Sequence, residues 1–189
     1  VSERGDVRER VLAATIDRVA ERGMAKLRVD DVARRAGVGR ATVYRYFPGG
    51  RDQLVNEAIT WEVGRFFAAL AAEVADAPDL RTRLERGLMF AHRAMADHEA
   101  LAMVLDADRE QFLPQLHDTS PLVMAVVRDY LAPMLADEDL RPGVDPEEAA
   151  DYLARMVLSF IPSPGQWDLT DPTQVAELVD RQFLAGILA

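Results

Sequence analysis

The sequence predicts an all-α protein: a small N-terminal three-helix domain with a helix-turn-helix, followed by a larger helical bundle. Three observations lead there. Ala, Leu, Arg and Glu are abundant, while no stretch sustains the period-2 alternation of β-branched residues that a sheet needs. Gly and Pro interrupt the chain at intervals that suit helices. The charge is also divided, since residues 1–60 carry 12 Lys+Arg against 9 Asp+Glu (net +3) and residues 61–189 carry 10 against 23 (net -13).

In RGDVRERVLAATIDRVAERG, Leu12, Ile16 and Val19 repeat at i, i+4, i+7 beside Val11 and Thr15. This predicts a first helix from about 6 to 22, stopped by Gly23. A second, short helix is expected over 29–36, with Asp30 and Asp31 in its first turn and Gly37 at its end. A third should run over 40–47 until PGG breaks it, and a fourth from 51 to about 75. Further helices are expected over 79–97, 99–113, 121–136, 146–161 and 172–188, with Pro133 kinking or restarting the one that holds it. The domain boundary falls near residue 50, giving domains of 1–50 and 51–189 bridged by the fourth helix.

Composition narrows the function classes. The chain has no cysteine, which removes disulfides and thiolate zinc sites and suits a reducing compartment. No apolar run approaches the roughly 20 residues of a membrane span, and VSERGDVRER is too polar for a signal peptide, so a cytoplasmic protein without a membrane partner is expected. Against a net charge of -10, the basic first third is where an anionic partner would be accepted.

Two short helices joined by Gly37-Val38 have helix-turn-helix spacing, in which the second helix enters the major groove of DNA. At about 100° per residue, Val43 and Phe47 fall on one side of that helix and Ala41 and Arg45 nearly opposite, flanked by Thr42 and Tyr44. Arg can donate two hydrogen bonds to a guanine edge, Thr and Ala can touch a thymine methyl, and Tyr hydroxyls can donate to phosphates. Small Gly39 and Ala41 permit close approach. The same spacing also fits a solvated amphipathic helix whose tyrosines cover a core.

The run VLAATIDRVAERG…VDDVARRAGVGRATVYRYFPGGRDQLV, about residues 7–55, resembles the N-terminal domain of the TetR family of transcriptional regulators. The resemblance implies that Arg40, Ala41, Thr42, Tyr44 and Arg45 face an operator. It implies that Tyr46 stands where the family usually has a His or Tyr on the phosphate backbone. Three positions depart from the pattern. Arg28 occupies a common Thr/Ser capping site, where it supplies charge but no cap, and Gly39 replaces a common Ser. Gly50 replaces a common phosphate-binding Lys, leaving Arg51 to take that role.

The acidic remainder is rich in large apolar residues, which taken singly suit a core. The resemblance implies a small-molecule site within it, for which an apolar or amphipathic effector and a lining of Trp61, Phe67, Phe90, Met103, Met124 and Phe160 are expected. Ala149, Leu153, Met156 and Phe160 form one apolar stripe, and Val175, Leu178, Val179, Phe183 and Leu184 another. These stripes could complete one bundle. The resemblance implies instead a homodimer interface, with Leu153, Met156, Val175, Val179 and Phe183 as its expected contacts, reading a roughly palindromic double-stranded operator.

The sequence offers little for an enzyme. His92 and His98 are six apart, so they do not share a helix face as i, i+4 residues would, and His117 neighbours Asp118 only in sequence. HExxH, P-loop and GxSxG motifs are missing, so no catalytic residue, metal ligand or cofactor is expected. A helical small-molecule-binding or enzymatic bundle without DNA binding remains the alternative reading, with the N-terminal helices serving only as packing.

Overall fold

The computed structural model describes residues 3–97 and 109–189, and within them the side-chain surroundings of 6–96 and 123–189. Helix α1 spans Glu3–Arg22, a 3-10 turn covers Met24–Lys26, and α2, α3 and α4 span Val29–Ala36, Arg40–Tyr46 and Gly50–Glu73. Helices α5, α6, α7 and α8 follow over Leu80–Asp97, Arg109–Ala136, Pro146–Phe160 and Pro172–Leu178. Among the described residues no helix is long and apolar enough to cross a membrane.

The chain divides into two compact units. The first takes in α1 to α3, α4 as far as Ala69, and the opening turn of α6 to Phe112; the second takes in Leu70–Asp97 and Leu113–Ala189. The core of the first is one cluster drawn from every early helix: Val11, Leu12 and Val19 of α1, Val32 and Ala33 of α2, Val43 of α3, then Phe47, and Leu54 and Ala58 of α4. Thr15 is buried among them without an unpaired donor, because its hydroxyl donates to the Val11 carbonyl one turn back at 2.8 Å.

The turn between α2 and α3 follows from one glycine. Gly37 sits at φ 68° and ψ 33°, the left-handed conformation that glycine adopts without steric cost. The Gly37 amide donates to the Arg34 carbonyl at 3.3 Å and the Val38 amide to the Ala33 carbonyl at 3.0 Å, the double closure of a Schellman motif. Val38 then packs against the cluster, which fixes the direction in which α3 departs.

In the second unit the starts of α7 and α8 were written in sequence as Asp-Pro. Asp145 accepts from the amides of Glu147 and Glu148 at 2.9 and 3.0 Å, and Asp171 from that of Thr173 at 2.9 Å, each followed by a proline at the first helical position. Asp79 likewise accepts from the Thr82 amide at 2.7 Å at the start of α5. The core combines Leu84 and Leu88 of α5, Leu131 and Leu135 of α6, Leu153 of α7, and Val175 and Leu178 of α8.

Two regions differ from the expected pattern. The break expected between helices at 99–113 and 121–136 is not found, because α6 continues through Pro114, Pro121 and Pro133 from Arg109 to Ala136. Residues 99–108 lie outside the described residues. Each proline removes one amide donor, but the span contains no glycine to supply a left-handed stop, and the rest of the ladder carries the helix across. The C-terminal helix is shorter than 172–188: α8 ends at Leu178 and widens into a π-type turn over Val179–Leu184. The final residues instead pair with the α6–α7 connection, where the Arg141 amide donates to the Ile187 carbonyl and the Ala189 amide to the Asp139 carbonyl, both at 2.9 Å.

Candidate nucleic-acid interface

Helix α3 has seven residues and two clearly different sides. Val43 and the following Phe47 are 1% and 0% exposed, whereas Arg40, Ala41, Tyr44 and Arg45 are exposed and Thr42 is half-buried. Gly39 starts the helix without a side-chain cap, and the space where a Cβ would stand is open. Tyr46 is half-buried and packs against the first unit's core. The Arg45 guanidinium lies over the Tyr46 ring, 5.3 Å from its centroid.

Most cations around α3 already have partners. Arg35 donates twice to Asp17, at 2.8 and 3.1 Å, and Arg22 and Arg34 flank Asp31 at 3.6 and 3.3 Å. Arg40 Nη1 lies 3.0 Å from both oxygens of Asp30. The Arg40 guanidinium is held above its ordinary pKa first by its hydrogen bond to the Tyr44 hydroxyl and then by the Asp30 charge. Arg51 donates to the Met24 carbonyl at 2.6 Å and pairs with Asp52 at 3.1 Å, so its guanidinium braces the turn after α1.

Among the described residues, Lys26, Arg28 and Arg45 have no carboxylate within ion-pair reach. Arg28 is the exposed residue immediately before α2, and its side chain makes no cap. Lys26 was not singled out from sequence, although an exposed lysine two places before Arg28 in a short turn was legible there. The position of the family's common lysine holds Gly50 at φ 70°, a conformation that side-chain-bearing residues rarely adopt. A Cβ there would stand 3.6 Å from Tyr44 Cε1, so the Tyr44 ring rests beside the start of α4.

The residues expected to line an effector site fall in both units. Trp61 is half-buried, packs against the first unit's core and lies 4.8 Å beneath the Arg65 guanidinium. Phe67 meets Phe66 edge-on at 5.5 Å. In the second unit Phe90, Met124 and Phe160 are all half-buried, and the Phe160 ring lies 5.5 Å from Phe183. Met103 lies outside the described residues.

Of the expected dimer contacts, Leu153, Val175 and Val179 are 0% exposed and Phe183 1%, so these side chains fill their own chain's core rather than its surface. Met156 is half-buried. Beyond Glu147 and Glu148 of its first turn, α7 shows Tyr152, Arg155 and Ser159 to solvent, with the Tyr152 hydroxyl donating to the Gln182 carbonyl at 2.6 Å. Tyr152 sits one residue off the apolar stripe, and sequence spacing passes over it. His92 is half-buried, His98 lies outside the described residues, and the side chain of His117 does too. Among the described residues no group of three or more His, Asp or Glu stands together as a metal-holding set.

Residues 11–58 match the family model for bacterial regulatory proteins of the tetR family. The HTH-type transcriptional regulator EthR of Mycolicibacterium smegmatis is 31% identical, over 83% of this chain and 87% of its own. An uncharacterized HTH-type transcriptional regulator of Mycobacterium tuberculosis is 25% identical over 90% of this chain and 82% of its own. Among solved structures, a TetR-like transcriptional regulator from Rhodococcus sp. superposes with a TM-score of 0.58 at 22% identity, covering 95% and 96% of the two chains. The fatty acid degradation regulator FadR from Bacillus halodurans gives 0.66 at 19%, covering 94% and 96%. These two likenesses concern the fold. The matched segment contains the whole of α2 and α3 with the glycine-closed turn between them, the EthR likeness extends far beyond it, and the chain accordingly belongs to the TetR family as a DNA-binding transcriptional regulator.

Proposed function

We propose that this regulator is a repressor that binds a palindromic operator as a homodimer, each copy laying α3 in a major groove, and that an apolar or amphipathic small molecule releases it. In this reading residues 1–50 dock on DNA and residues 51–189 bind the effector and pair the two copies. The observation that carries it is the two-sidedness of α3: Val43 and Phe47 are spent on the core, leaving Arg40, Ala41, Tyr44 and Arg45 with no burial role. Arg45, which has no carboxylate partner among the described residues, can donate twice to a guanine edge, with Ala41 and Thr42 beside it for a thymine methyl. Tyr44, Tyr46 and Arg28, together with Lys26, serve the phosphates. Arg51 supports this surface from behind through the Met24 carbonyl.

The net -13 of residues 61–189 repels DNA and restricts docking to the basic module. Half-buried Phe90, Met124 and Phe160 supply adaptable apolar surface for an effector. Effector binding acts by favouring a conformation in which the two copies of α3 no longer match grooves about 34–36 Å apart.

The test is duplex binding measured across a salt series, with duplexes first enriched from a randomised pool. Counterion displacement predicts that affinity falls steeply as salt rises. Arg45→Ala is expected to weaken the enriched duplex by about 1–3 kcal/mol while changing random duplex far less. Equal losses on both would make Arg45 a phosphate contact, and no enrichment by the wild type would remove the groove-reading assignment altogether.

A further inference from the structure

Asp30 stands in the first turn of α2, where a carboxylate complements the helix dipole. That accounts for its sequence position but not for what it touches. Arg40, the first residue of α3, places Nη1 3.0 Å from both Asp30 oxygens and Nη2 3.5 Å from the Tyr44 hydroxyl. Its guanidinium carbon lies 5.4 Å from the centre of the Tyr44 ring, and that ring abuts Gly50 at the start of α4. One side chain is thus held by an acid from the preceding helix and an aromatic from its own.

The pair is largely in water, with side chains 61% and 43% exposed, and such ion pairs contribute little to folding. On a surface that approaches phosphates, a carboxylate also opposes affinity. A contact that adds little stability and works against binding has its effect in geometry and charge. Arginine left unrestrained would swing to the nearest phosphate, a contact that carries no sequence information. Arginine held at Nη1 keeps its remaining donors in a fixed direction, and its charge is offset.

We propose that Asp30 is a specificity-determining positioning residue, which restrains Arg40 so that Arg40 discriminates between base sequences instead of binding phosphate indiscriminately. This rests on the reading of α3 as the groove-facing helix. It assigns to an acidic residue of α2 an effect on base preference at positions Arg40 approaches.

The experiment compares wild type, Asp30→Asn and Asp30→Glu, each in an Arg40 and an Arg40→Ala background, for enrichment of duplexes from a randomised pool and for affinity to one enriched and one random-sequence duplex across a salt series. With Arg40 present, Asp30→Asn is expected to bind random duplex several-fold more tightly and to steepen the log-log salt slope by about 1, as one further phosphate contact requires. Its enriched pool should lose base preference at one or two positions per half-site. Asp30→Glu, which keeps the carboxylate, should restore most of that preference. In the Arg40→Ala background Asp30→Asn should change neither the pool nor the specific-to-random ratio.

An unchanged pool and ratio for Asp30→Asn would overturn the proposal. So would an effect of the same size without Arg40, which would make Asp30 a general repulsive charge. If wild type enriches nothing, the groove-facing assignment of α3 fails instead, and the two failures are told apart by the wild-type pool alone. A lowered melting temperature with an unaltered pool assigns Asp30 to α2 stability and likewise rejects the positioning role.

Discussion

Helices α3 and α7 both carry an apolar stripe that periodicity exposes, and they differ in what the stripe leaves over. On α3 the stripe is Val43 with Phe47 just beyond it, and the remaining exposed side chains are the candidate DNA-reading set. On α7 the stripe of Ala149, Leu153, Met156 and Phe160 is buried inside the same chain at Ala149 and Leu153 and half-buried at Met156 and Phe160, and the exposed remainder is Glu147, Glu148, Tyr152, Arg155 and Ser159. An apolar stripe says that a face is covered; it does not say by what. Where function lies on the face opposite the stripe, as on α3, the sequence reveals it. Where function was sought on the stripe itself, as on α7, covering by the chain's own core and by a second copy give the same pattern.

Phe47→Ala is expected to have the largest effect, because Phe47 is fully buried and ties the end of α3 to α1 and α4; the cost should be about 3–5 kcal/mol, read by denaturant melting. Duplex binding should fall with it. Binding that survives intact at a temperature where the variant is folded would show that α3 does not depend on this anchor for its orientation.

Leu153→Ala should cost about 2–5 kcal/mol of protomer stability, since Leu153 is 0% exposed within one chain. If the variant keeps wild-type protomer stability while its oligomer dissociates at higher protein concentration, Leu153 is an interface residue and the contrast with α3 disappears. Tyr152→Ala is the companion that sharpens this test, because Tyr152 is 42% exposed and its loss removes little from the core.

A smaller difference separates the units in acid. In the second unit the Asp79 carboxyl is held below the usual carboxylate range, chiefly by the hydrogen bond from the Thr82 amide and then by the Thr82 hydroxyl. Because the folded pKa is the lower one, this contribution is complete above the unfolded value of about 3.9 and is lost as pH falls through the folded value. Asp79→Ala should lower stability at pH 7 by about 0.5–1 kcal/mol, the low end of capping effects for a solvent-exposed cap. The gap between variant and wild type should close in acid. A gap that persists below pH 2 would mean that the carboxylate charge is not the source.

Starts and stops of helices were legible wherever one residue supplies the physics. Gly23 and Gly37 close α1 and α2, and Asp145-Pro146 and Asp171-Pro172 open α7 and α8. The run through Pro114 and Pro121 was not legible, because a local breaker had to be weighed against a ladder of 28 residues. In the candidate site, exposure of Arg45 and burial of Val43 follow from a 100° step, which is a local quantity.

The sequence by itself determined the helical class, the helix-turn-helix and its family, and which side of α3 faces out, since each rests on spacing or on a residue's own conformational preference. Tertiary structure decided which charges are spent. Arg40 meets Asp30 across ten residues and Arg51 meets the Met24 carbonyl across twenty-seven, and Leu153, Val175 and Phe183 close one protomer's core. Spacing fixes the angle of a side chain about its own helix axis, whereas partners depend on where a second helix has been packed.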